Sequence, residues 1–184
     1  EDPPADLADI ERYVAVAAAR DDPLAFAVVE SRTGEALGRQ SLMRIVPEHG
    51  VIEIGSILWG PRLARTRLAT EAFYLHARHV LDELGYRRFE WKCNARNAPS
   101  RAAARRFGFR FEGVFLQHMW IKGRNRDTAW FGMTGRDWQR LRGAFECWLE
   151  PSNFDASGAQ RRRLADCIEA AGGRPEPRDP ILER

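Results

Sequence analysis

A mixed α/β layer fold is the architecture this 184-residue sequence predicts. Three observations carry it. Between Val51 and Asn97 an apolar strand, a short arginine-rich turn, a long amphipathic helix and a second strand follow one another. Strand-like segments lie on both sides of that unit, at 24–45 and at 111–133. No apolar run reaches the roughly 18 residues that a membrane span needs.

Taken in order, Asp9 to Arg20 reads as a helix whose apolar face includes Ile10, Val14, Val16 and Ala17. Leu24 to Glu30 is a strand, Arg32-Thr33-Gly34-Glu35 a hairpin turn, and Ala36 to Ile45 the returning strand. Pro47-Glu48-His49-Gly50 turns the chain into the strand VIEIGSILWG at 51–60. The turn PRLARTR at 61–67 then opens a helix that ends near Leu84-Gly85. Arg67, Glu71, Tyr74, Arg78 and Asp82 form one polar stripe on that helix, with Arg67–Glu71 and Arg78–Asp82 spaced for pairing. Leu68, Ala69, Ala72, Phe73, Leu75, Val80 and Leu84 fill most of the remaining circumference, as expected of a helix lying across a sheet.

The second strand runs over 86–97, and Asn97-Ala98-Pro99-Ser100 starts a short helix that stops at Gly108-Phe109. Phe111 to Ile121 and Thr128 to Met133 are strand-like and are joined through Lys122-Gly123-Arg124-Asn125. Asp137 to Leu149 is a helix capped by Gly135 or Asp137. Residues 1–150 make one domain, and 151–184 a polar C-terminal tail. The tail has one possible helix at Ser157–Ala171 and a charged, proline-bearing end from Gly172 that reads as disordered.

The net charge of +3 is mild, and arginine carries nearly all the positive charge, since Lys92 and Lys122 are the only lysines. No nucleic-acid reader motif or aromatic–basic stripe is visible, so no nucleic-acid partner is expected. Cys93, Cys147 and Cys167 are far apart and odd in number. That pattern suits a reducing, cytoplasmic setting and argues against a disulfide framework. His49, His76, His79 and His118 are scattered, and no metal is expected. With no span or export signal, no membrane partner is expected either.

A strand feeding a turn that opens a helix directs backbone N–H groups and the positive helix end toward the strand tips, which suits a phosphate. Arg62, Arg65 and Arg67 sit in that turn. They read either as phosphate ligands or as the solvated start of a helix. Further along stand Glu53-Ile54-Gly55, Thr70-Glu71-Ala72, Asn97-x-x-Ser100, Gly108-Phe109-x-x-Glu112-Gly113, Gly123-x-x-x-Asp127 and Asp137-Trp138. This ordered set resembles the GNAT superfamily of acyl-CoA-dependent N-acyltransferases, nearest the Rim-type branch of ribosomal-protein N-terminal acetyltransferases. The likeness is loose over Asp9 to Gly50.

The resemblance implies a mostly antiparallel central sheet flanked by helices, in which a further strand and helix normally precede the segment that opens at Glu1. It implies acetyl-CoA as co-substrate, no metal, and a monomer or homodimer. The acceptor is a small-molecule amine or a peptide N-terminus. The amine attacks the thioester directly, because no Cys–His or Ser–His pairing is suggested. The strand end Ile57, Leu58 and Trp59 is expected to part from its neighbour and pair with the pantetheine arm. The turn residues Arg62, Ala64, Arg65, Thr66, Arg67 and Leu68 are expected around the pyrophosphate. The family's turn follows Gln/Arg-x-x-Gly-x-Gly/Ala, and here Arg65 and Arg67 replace both glycines.

Asn97 is expected at the CoA arm or as a helix cap. Ser100 is the candidate proton donor, because Ala104 stands where a tyrosine is often found. Glu53 either accepts the amine's proton or pairs with Arg44 or Arg39 on the adjacent strand. His118 is a candidate for the acceptor pocket. The alternative is a CoA-binding module with little or no turnover.

Overall fold

A computed structural model describes residues 4–173. Helix α1 (Leu7–Ala18) leads into strands β1 (Leu24–Val29), β2 (Ala36–Val46) and β3 (Val51–Trp59). Helix α2 (Arg67–Arg78) runs on through a π-helical turn, His79–Glu83, to β4 (Arg88–Asn94). Then come α3 (Ala98–Arg106), β5 (Arg110–Ile121), β6 (Arg124–Thr134), α4 (Gly135–Leu149) and α5 (Leu164–Ala170). The strands form one six-stranded sheet in the order β1-β2-β3-β4-β6-β5. Only β3 and β4 pair in parallel. A parallel pair needs a crossover, and α2 supplies it. The expected mixed, mostly antiparallel sheet flanked by helices is the fold observed.

Alternation along the central strands assigns the two faces of the sheet. Ile52 and Ile54 of β3, Phe89, Trp91 and Cys93 of β4, and Ala129, Phe131 and Met133 of β6 are buried in one core with α2 and α4. Phe73 of α2 is fully buried and stacks on Phe107 with ring centroids 4.2 Å apart. The alternate positions, Glu53, Glu90, Lys92 and Trp130, lie on the opposite, polar face. That face carries Glu53, the candidate base.

Part of the polar stripe on α2 turns toward α4. Tyr74 is buried, and its hydroxyl donates to Glu146 at 2.9 Å. Arg78 pairs with Glu83 rather than Asp82, and Asp82 takes Arg142 of α4 instead. Asp82 and Arg67 thus find partners on α4, while Arg78 keeps one on the continuation of its own helix.

Two element starts also differ from the sequence expectation. Strand β6 begins at Arg124, four residues earlier, because the hairpin turn is tighter. Helix α4 is capped by Thr134, whose hydroxyl accepts the Asp137 N–H while Asp137 accepts the Thr134 N–H, a reciprocal capping box. The C-terminal helix is shorter than expected, Leu164–Ala170, yet its Leu164, Cys167 and Ile168 are buried against the core. The end expected to be disordered falls mostly at 174–184, outside the described residues. No helix among those described is long and apolar enough to cross a membrane.

Candidate active site

Strands β3 and β4 pair only from Val51↔Arg88 to Ile54↔Trp91. Beyond that point β3 stays with β2, and Lys92–Asn94 of β4 stays with β6. The facing edges therefore part into a wedge that holds Ile57, Leu58 and Trp59 on one side. A bulge is the local cause. Ser41 opposes Gly55 but Arg39 opposes Leu58, so β3 carries one extra residue there. Ser56 takes it up in the left-handed region, at φ 49.

The turn after β3 is anchored by Leu63, which is fully buried. The N–H groups of Leu63 and Ala64 both donate to the Gly60 carbonyl at 2.9 Å. Thr66 caps α2: its hydroxyl accepts the Ala69 N–H and donates to the Leu63 carbonyl at 2.6 Å. Among the described residues, the N–H groups of Arg65, Arg67 and Leu68 have no acceptor. This is the arrangement of unsatisfied donors that a helix N-terminus offers an anion.

The three arginine side chains of the turn have separate fates. Arg62 is exposed and forms a fork with Glu35, at 3.0 and 2.7 Å. Arg67 donates to the Leu149 carbonyl at the end of α4, 2.6 Å away, and lies over the Phe154 ring. The backbone of the turn is thus offered to the wedge, while these two guanidinium groups are held by the protein. Arg65 sits at φ 65, so the position that resembles a family glycine does require the left-handed region. An L side chain there costs about 1–2 kcal/mol, against about 0.4–1 kcal/mol of extra unfolded-state freedom for glycine. Arg65→Gly is therefore expected to be neutral or stabilising by up to about 1.5 kcal/mol, and the β-branched Arg65→Val clearly destabilising. Urea midpoints in the opposite order would contradict the backbone assignment.

Glu53 lies at the root of the wedge on the polar face, with its side chain 7% exposed. Lys92 Nζ is 3.0 Å from its carboxylate and Arg44 Nε is 3.6 Å away. Arg39, the other partner considered, instead donates to the Ser56 carbonyl and lies over the Tyr13 ring. Lys92 is equally buried, 2.6 Å from Glu90 and 3.8 Å from the centre of the Trp130 ring. Arg88 then links Glu90 to Glu112. Burial raises the Glu53 carboxyl above the ordinary carboxylate range, with Lys92 and then Arg44 opposing the shift. Burial acts on Glu90 in the same direction, but its bonds to Lys92 and Arg88 outweigh it and hold that carboxyl low. Lys92 is the residue sequence reasoning missed. Its signal was available: one of two lysines, two positions after Glu90 in the strand beside Glu53.

Asn97 caps α3, its side-chain oxygen accepting the Ser100 N–H at 3.1 Å. Its amide NH2 is left over for another acceptor. The hydroxyl oxygen of Ser100 accepts the Trp91 indole N–H at 3.0 Å. A serine that accepts in this way keeps its own proton for donation elsewhere. Ala104 is fully buried, so there is no room for a tyrosine at that position without repacking.

His118 follows a bulge in β5 where Gln117, at φ 48, gives its N–H to Asp127. The imidazole contacts the Thr128 hydroxyl at 2.9 Å and packs near Phe115 and Trp130. Glu53, Lys92, Trp130 and His118 thus form one connected row across the polar face. Ser100 and Asn97 belong to the other rim, at the start of α3.

The sequence profile of the acetyltransferase (GNAT) domain matches residues 1–110. The structure of a GCN5-related N-acetyltransferase from Brucella melitensis is 53% identical in sequence, with a TM-score of 0.89 over 92% of this chain and 76% of that one. A probable GNAT-family acetyltransferase from Chromobacterium violaceum is 45% identical, covering 76% of this chain and 70% of its own, at a TM-score of 0.71. A putative ribosomal-protein-serine acetyltransferase from Vibrio cholerae is 20% identical over 71% of this chain and 76% of its own, at a TM-score of 0.63, a likeness of fold alone. No curated protein sequence matches the chain significantly.

Proposed function

The chain belongs to the GNAT acetyltransferase family, and on that premise we propose that it transfers an acetyl group from acetyl-CoA to a primary amine by direct attack on the thioester. The observation that carries this reading is the wedge between β3 and β4, with a buried carboxylate at its root and unsatisfied N–H groups at its mouth. The turn amides of Arg65, Arg67 and Leu68 receive the pyrophosphate, and the β3 edge at Ile57, Leu58 and Trp59 receives the pantetheine arm. A backbone N–H on that edge polarises the thioester carbonyl.

In this reading Glu53 takes the proton of the incoming ammonium, directly or through water. The amine nitrogen forms the new C–N bond as the C–S bond breaks. The Ser100 hydroxyl, with its oxygen held by Trp91, gives the departing thiolate a proton. Lys92 and Arg44 favour the ionised form of Glu53 against its burial, and Trp130 and His118 line the acceptor side. The acceptor is a small-molecule amine or a peptide N-terminus. Fold-level likeness to the Rim-type branch does not choose between them. A cytoplasmic setting belongs to the same reading.

Release of free thiol from acetyl-CoA, measured across a library of amines and peptides and followed by the mass of the product, tests the proposal. Thiol release that depends on an acceptor, with an acetylated product, is expected. Thermal stabilisation by acetyl-CoA with no acceptor-dependent thiol would instead mark a CoA-binding module.

Ser100→Ala is expected to slow turnover by about tenfold, since a thiol with a pKa near ~8.5 is a fair leaving group without help. Acetyl-CoA affinity should stay within about twofold. Weakened binding with unchanged turnover at saturation would make Ser100 a cofactor contact instead.

A further inference from the structure

Sequence spacing sets Cys147 and Cys167 twenty residues apart. The fold removes that distance, because α5 lies along α4 and leaves the two sulfurs 3.8 Å apart. Cys147 is exposed on α4, and Cys167 is buried beneath it on α5. An Arg162 Nη1–H points at the Cys147 sulfur from 3.9 Å. The remaining cysteine, Cys93, belongs to β4.

We propose that Cys147 and Cys167 are a redox-sensitive thiol pair that closes a disulfide between α4 and α5 when the protein meets a peroxide. The exposed sulfur beside a guanidinium meets the oxidant first. The Cys147 sulfur attacks one peroxide oxygen, the O–O bond breaks, and water leaves, giving a sulfenic acid. The Cys167 sulfur then attacks the Cys147 sulfur. The S–S bond forms, the S–O bond breaks, and the hydroxide departs as a second water with the Cys167 proton. Two thiols are oxidised and one peroxide is reduced. Bonded sulfurs lie about 2 Å apart, so the approach required is of the order of a side-chain rotation.

Burial raises the Cys167 thiol above its ordinary range, with Cys147 adding to the shift. That suits the resolving member of the pair, which is protected until its neighbour is activated. The closed ring would enclose the contacts that hold the C-terminal segment down, including the Trp148 indole on Gln160 and Asn153 on the Trp148 carbonyl. It would also fix Phe154, on which Arg67 of the cofactor turn rests.

The test uses the reduced full chain, titrated with hydrogen peroxide, quenched by alkylation in denaturant so that buried thiols also react, and examined by intact mass and peptide mapping. The wild type is expected to lose two hydrogens, keep one alkylatable thiol at Cys93, and yield a peptide linking 147 to 167. Its Tm should rise by on the order of 5 °C, reversed by a dithiol reductant. Cys147→Ser should keep both remaining thiols alkylatable. Cys167→Ser should leave Cys147 with an added oxygen or as a cross-linked dimer. The proposal is overturned if the wild type keeps three alkylatable thiols, if Cys147 gains oxygen without joining Cys167, or if the new bond involves Cys93.

Discussion

Glu53→Gln is expected to lower turnover by roughly 10²-fold or more while leaving acetyl-CoA affinity almost unchanged. The amide keeps the shape of the carboxyl but cannot take a proton from an ammonium. The wedge edge and the turn amides, which meet the co-substrate in the proposed reading, are untouched by the change. The pH dependence follows from burial. A base acts only when ionised, and burial has moved this carboxyl up. Turnover in the wild type should therefore rise with pH through a limb above the ordinary glutamate range and then level. That limb should be absent in the variant.

Stability carries the same signature with the opposite trend. Between the ordinary glutamate value and the raised one, the folded chain holds a proton that the unfolded chain has lost. Wild-type stability from this group therefore falls as pH climbs through that window. Glu53→Gln should flatten the slope in urea titrations across pH. A turnover loss below about threefold, with the limb intact, would reduce Glu53 to the structural partner of Lys92 and Arg44.

Much of the fold was legible because its signals are local. Period-two runs placed the strands, and Gly108 and the Asn97-to-Ser100 cap placed the ends of α3. The ends that moved were set by contacts no local pattern encodes. Thr134 outcompetes Gly135 and Asp137 as a cap because it can bond Asp137 reciprocally. Tyr74 and Arg67 read as members of a polar stripe paired along the helix until α4 arrives beside them.

The candidate site divides in the same way. Glu53, Ser100, Asn97 and the turn residues were nominated by motif order. What surrounds Glu53 was only half visible. Arg44 was named as a partner from strand adjacency, whereas Lys92 comes from the parallel strand β4, whose register against β3 no turn fixes. Two arginines of the turn have protein partners that side-chain charge alone does not foretell. Arg62 and Arg67 are bound by Glu35 and Leu149, and the turn also offers backbone donors, whose conformation is not written in side-chain type.

Lys92→Met tests the part of the site that sequence reasoning missed, and its expected effect on stability is the largest proposed here. The lysine lies between two carboxylates, 3.0 Å from Glu53 and 2.6 Å from Glu90, with 7% of its side chain exposed. Removing one member of a buried ion pair costs about 3–5 kcal/mol, because the remaining charge is left uncompensated. Here two carboxylates would be left, helped only by Arg44 and Arg88. The relief open to the protein is to bind a proton. Lys92 is the largest influence holding Glu53 down against its burial, so its loss should push that carboxyl higher still. The acidic limb of the pH–rate profile should then move to higher pH, with activity lost on its acidic side and regained above it. Methionine keeps a long apolar side chain and loses only the ammonium that lies over Trp130, so lost volume alone cannot imitate this shift. The double variant Lys92→Met/Glu53→Gln removes one of the stranded charges. It should lose less stability than the sum of the single changes, by a coupling on the order of 1–3 kcal/mol. Additive losses together with an unmoved limb would mean that Lys92 serves only as a strut beneath Trp130, and that Glu53 needs no cation to stay ionised.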